Sequence, residues 1–254
     1  MRRNGTSAAG PLLYDAAAMA LTSKSEESLS ALGRAFRAGL RAIMPRRSIT
    51  VGDPAGLRDF LQTRSSYVAQ TSLYGYLRTR AGTRFPMLFE NDDFVRSVNI
   101  AKWHVWLACL SDLSVFAGGL ILRRGAARSE AVGAMLVASF DAILAATGTP
   151  PDAGAEFGAH AQRVRARLAL CDWTAVTDDA TPFSESEQAL VYWAPIADEL
   201  KRHDVQIVRN SIRFLWQEVR RDLRRVLDAA ALLAGAGAPT SPASTAPGSP
   251  GSPA

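Results

Sequence analysis

The chain has 254 residues, 48% of them hydrophobic, and a formal net charge of +5. That length and apolar share suffice for one sizeable core and exclude a wholly disordered chain. The basic excess is modest, carried by many arginines and few lysines, and falls short of a dedicated nucleic-acid binder.

Residues 1–24 are rich in Ala, Ser and Gly and are expected to be mobile. Met1-Arg2-Arg3 and the run from Pro11 to Ala18 imitate a signal peptide, but Asp15 interrupts the apolar stretch, so export is not expected. A short helix is expected from Ser25 or Ser28 to about Met44. Leu32, Phe36, Leu40 and Ile43 line one side of it, Arg34, Arg37 and Arg41 another, and Pro45 ends it. Packing on the domain is its expected role, and docking on a membrane surface or a partner is the alternative.

Asp53-Pro54 is a helix start, an N-cap followed by proline in the first turn. That helix should run to Arg80 and close at Gly82, with Phe60, Tyr67 and Tyr74 as a packing seam. Pro86 breaks the chain, and Phe85, Met87 and Leu88 are expected to plug the bundle end. Asp92 to Leu122 should then form the central helix. Asn91 or Asp92 can cap it, and Asp92 and Asp93 suit its positive end. Beyond Trp103 its polar side nearly vanishes, which demands enclosure by other helices or by lipid. Asp112, near the middle, would be costly in lipid, so a buried bundle helix is preferred and no membrane span is expected.

Further helices are expected over 130–146, with Val132, Leu136, Phe140 and Ile143 inward, and over 152–173, with Phe157, Val164, Leu168 and Cys171 inward. A polar loop follows over 174–183. Ser184-Glu185-Ser186-Glu187 has the form of a capping box. Pro195 must kink or restart that helix. The last helix is expected over about 204–234, with Val205, Val208, Ile212, Leu215, Val219, Leu223 and Val226 as its buried stripe. The tail over 235–254 contains only Ala, Pro, Ser, Thr and Gly and should be disordered. The fold class is therefore all-α: one bundle of about six or seven helices over 25–234, its core within 53–230.

Reactive motifs are missing. There is no Gly-x-Ser-x-Gly elbow, no phosphate loop, no dinucleotide fingerprint and no His-Glu-x-x-His, so no cofactor is expected. The two cysteines, Cys109 and Cys171, are not spaced as a zinc pair, no metal is expected, and buried thiols fit a reducing cytoplasm. The three histidines, His104, His160 and His203, are far apart in sequence.

Two features stand out. Asp112 lies on the apolar side of the central helix, where a carboxylate needs a partner. An arginine from a neighbouring helix is the expected one; a functional acid working with His104 is the alternative. The second feature is a strip of Arg202, Arg209, Arg213, Arg220 and Arg224 along one side of the last helix. Asp204, Glu218 and Asp222 of that helix face elsewhere. A solvated face or internal salt bridges are the expected use of the strip. Because guanidinium forks suit phosphates and carboxylates, contact with nucleic acid, anionic lipid or an acidic protein partner is the alternative, which makes the strip a candidate anion-binding surface.

Several segments look familiar. They are Tyr67 to Pro86, Asn99-Ile-Ala-Lys-Trp-His104, Leu110-Ser-Asp-Leu113, Tyr192-Trp-Ala-Pro-Ile-Ala-Asp-Glu-Leu200 and Ile207-Val-Arg-Asn-Ser-Ile-Arg-Phe214. Together they resemble a family of small all-helical bacterial proteins, some copies of which carry the label esterase. The likeness spans about residues 55–228. It carries no catalytic motif onto residues of this chain. The leading expectation is a non-enzymatic cytoplasmic scaffold or protein-interaction protein, with self-association or a protein partner. The alternatives are an ester hydrolase built from dispersed residues, with His104 and Asp112 as candidates, and a binder of anionic surfaces through the arginine strip.

Overall fold

The computed structural model describes residues 50–236. The expected mobile segment 1–24, the expected helix over 25–44 and the expected tail over 235–254, apart from Gly235 and Ala236, which are helical, lie outside them. Among the described residues there are seven α-helices: α1 (Pro54–Ala81), α2 (Asp92–Arg124), α3 (Ser129–Thr147), α4 (Phe157–Ala169), α5 (Ser184–Trp193), α6 (Asp198–Val226) and α7 (Ala229–Ala236). The fold is all-α, as its apolar periodicity implies.

The local signals act as their chemistry dictates. Asp53 accepts the Gly56 N–H at 2.8 Å and starts α1. Gly82, at φ 56°, ends it in a backbone conformation that side chains disfavour. Asn91 accepts the Phe94 N–H at 2.9 Å and starts α2. Every residue from His104 to Ile121 is buried. The helix packs against α1, α3, α4, α5 and the turn Thr181–Phe183. By length and composition α2 and α3 could both cross a membrane, and their apolar windows are respectively 94% and 39% buried within the bundle.

Gly118 and Gly119 let the segment after α4 lie close over α2. A Cβ on Gly118 would overlap the Trp173 ring, and one on Gly119 would overlap Val176. Trp173 thereby fills the space between α2 and Gly133 of α3.

Four expectations change. The helix predicted to reach Trp173 ends at Ala169, and Cys171 is only half-buried. The segment over 82–91 is two short 3-10 turns that plug little: Phe85 and Leu88 are half-buried, while Met87 is 61% exposed. Phe85, Phe89 and Phe94 instead form an edge-to-face row. The last helix starts earlier, at Asp198, leaves Val205 and Val226 only half-buried, and breaks at Leu227. There Val51 pairs with the chain: its N–H donates to Val226 and its carbonyl accepts from Asp228. The Asp228 carboxylate then accepts the Ala231 N–H at 3.0 Å, next to the start of α7. Fourth, Ser184 is the first residue of α5 and makes no side-chain cap. The acceptor comes from another helix.

Candidate functional site

That acceptor is Asp112. Its side chain is fully buried. One carboxylate oxygen accepts from Arg167 Nη1 of α4 at 2.7 Å, and the other accepts the Ser186 N–H of α5 at 2.7 Å. Ser186 is the third residue of its helix, so Asp112 satisfies one of the open N–H groups there and meets the positive end of the helix dipole. Arg167 also donates to Ser111 Oγ and to the Pro182 carbonyl, and pairs with Glu185 at 2.9 Å. Burial raises the Asp112 pKa to about 6, and the Arg167 and Ser186 bonds offset only part of that shift. The arginine partner expected from the sequence is therefore present.

His104 does not join this group. Its Nδ1 lies 2.8 Å from Nδ1 of His160 on α4. The rings are 12° from parallel, and one N–H is shared between two nitrogens, so one ring donates and the other accepts. Trp193, at the end of α5, stacks on His104 at 3.7 Å. Burial lowers both histidines, His160 to about 4, and the Arg163 cation lowers both further. The pair is thus neutral at pH 7. It is not joined by a nucleophile: among the described residues no serine, threonine or cysteine side chain hydrogen-bonds to either ring. Sequence reasoning missed this pair. The one available signal was that His160 falls three and four residues from Phe157 and Val164, on the buried side of its helix.

The arginine strip is continuous along α6, but it is not an open cationic surface. Arg213 grips Glu187 of α5 through two bonds of 2.6 and 2.9 Å. Arg224 grips Asp178 at 2.6 Å. Arg220 lies over the Phe183 ring and within the field of Asp178 and Asp179. Two acids of α6 face elsewhere: Asp204 binds Tyr76 and Arg80 of α1, and Asp222 binds Arg64. Neutralisation comes from other elements. It leaves Arg202 and Arg209, at one end, without an ion pair among the described residues.

That end borders an open cleft of about 960 Å³ between α4, α5 and α6. His160 and Trp193 reach its wall, so one member of the histidine pair and the remaining arginines share one cavity, while His104 stays buried behind it. Comparison with protein-family models, curated proteins and solved structures finds no match to this chain.

Proposed function

We propose that this chain is a non-enzymatic helical interaction protein that associates with a second copy of itself through the outer side of α6. The observation that carries the reading is an apolar stripe. Leu200, Ile207 and Phe214 recur every seven residues on the side of α6 away from the strip of Arg202, Arg209, Arg213, Arg220 and Arg224, and the exposed Arg221 ends the row. Leu200 is 46% and Phe214 62% exposed. A stripe about 21 Å long at 1.5 Å per residue suits a two-fold contact in which each copy presents the same face. Light scattering over a concentration series tests it.

The ester-hydrolase alternative finds less support. Asp112 and His104 serve separate structural contacts, and among the described residues neither His104 nor His160 hydrogen-bonds to a hydroxyl. Labelling of one specific serine by a fluorophosphonate, together with hydrolysis of p-nitrophenyl acetate, would favour the hydrolase over our reading. Cys109 and Cys171 are free thiols, which supports a reducing compartment, and we place the protein in a bacterial cytoplasm.

A further inference from the structure

We propose that the cleft between α4, α5 and α6 binds a small organic anion, an apolar body carrying a carboxylate or phosphate head. The apolar wall comes from Val164, Ala189 and Val205, and Trp193 and Tyr192 add ring surface. The head group is recognised by Arg163, Arg202 and Arg209.

The charge balance of the lining supports an anion. Of its three acids, Glu185 is already held by Arg167 and Ser111, and Asp198 by Lys201. Glu156 alone of them has no ion pair among the described residues. Against it stand Arg163, Arg202 and Arg209, which have none either. Arg209 adds a second observation: its Nε is buried and has no acceptor among the described residues. A buried donor without an acceptor is costly, and because Arg209 also lines the cleft, an anion there would offset part of the desolvation of its guanidinium. The volume lies at the upper end of the range for small-molecule sites. The wall carries the other half of the recognition. An inorganic ion would leave it wet, whereas a hydrocarbon or aryl body would cover it.

The test is a fluorescence titration of the full chain with 1-anilinonaphthalene-8-sulfonate, an aromatic anion. Saturable one-site binding is expected, weakening with added salt. Arg163→Gln with Arg209→Gln should lower the affinity at least about tenfold, a loss equivalent to two weakened charge-assisted bonds. Arg96→Gln, at the far exposed start of α2, should leave it unchanged. Circular dichroism checks that each variant remains helical. Dodecanoate and dodecyl phosphate should displace the probe, and the stronger of the two identifies the head group. Dodecyltrimethylammonium should not. Absence of saturable binding, wild-type affinity in the folded double variant, or equal displacement by the cationic amphiphile would overturn the proposal. Self-association through α6 is read by a separate measurement, so either idea can fail alone.

Discussion

Asp112 of α2 accepts the backbone N–H of Ser186 at 2.7 Å, and so caps a helix to which it does not belong. The same carboxylate holds Arg167 of α4. One buried side chain thus ties three helices at a single point. Burial raises its pKa against the pull of both bonds, as expected of a carboxylate that fixes how the helices meet.

Asp112→Asn tests this joint. The amide offers one acceptor where two donors, Arg167 and Ser186, now converge, so its NH2 must face one of them. A loss of about 2 kcal/mol is expected in urea unfolding at pH 7.5. Arg167→Met should cost about 3 kcal/mol, because it strands a buried charge. The double variant should lose less than the sum of the two. An unchanged midpoint for Asp112→Asn would contradict the joint.

The histidine pair predicts a pH dependence. His160 titrates near 4 in the folded chain and near 6.5 when unfolded. The unfolded chain therefore takes up protons that the native one refuses. This contribution is complete above pH 6.5 and is lost as the pH falls toward 4. Allowing for solvent around His160, the loss is about 1–2 kcal/mol. Asp112 acts in the opposite sense: its raised pKa makes the native chain gain relative stability as the pH falls from about 6 toward 3.8. Subtracting His160→Gln from the wild type isolates the histidine term. Parallel stability curves for the two proteins between pH 7 and 4.5 would rule it out.

Trp173 and Gly118 should be coupled. A Cβ at Gly118 would overlap the indole, so Gly118→Ala should destabilise by about 1–3 kcal/mol. In a Trp173→Ala background the same change should cost little, because the obstruction is gone. Equal costs of Gly118→Ala in both backgrounds would show that the ring does not sit there.

How far the sequence could be read follows from the range of each interaction. α2 was legible because its cap, its acids and its apolar run are all local. The need of Asp112 for a cation was legible too, but not that Arg167 supplies it, since no spacing rule links α2 to α4. The arginine strip was legible as a row on one helix, with a solvated face or internal salt bridges as its expected use, but not that Glu187 and Asp178 supply those bridges, since both arrive from elsewhere in the chain. The break at Leu227 carries no glycine or proline; pairing with Val51 makes it. The His104–His160 contact depends on how α4 crosses α2, which only packing determines.

The most direct test of the interaction reading is the molar mass in solution, measured by light scattering from micromolar to near-millimolar concentration. The wild type is expected to rise from 27.2 kDa toward twice that value, and Phe214→Glu to stay near 27.2 kDa throughout while keeping its helical circular dichroism. A wild type that remains at 27.2 kDa over the whole range, or a Phe214→Glu variant that associates equally well, would contradict it.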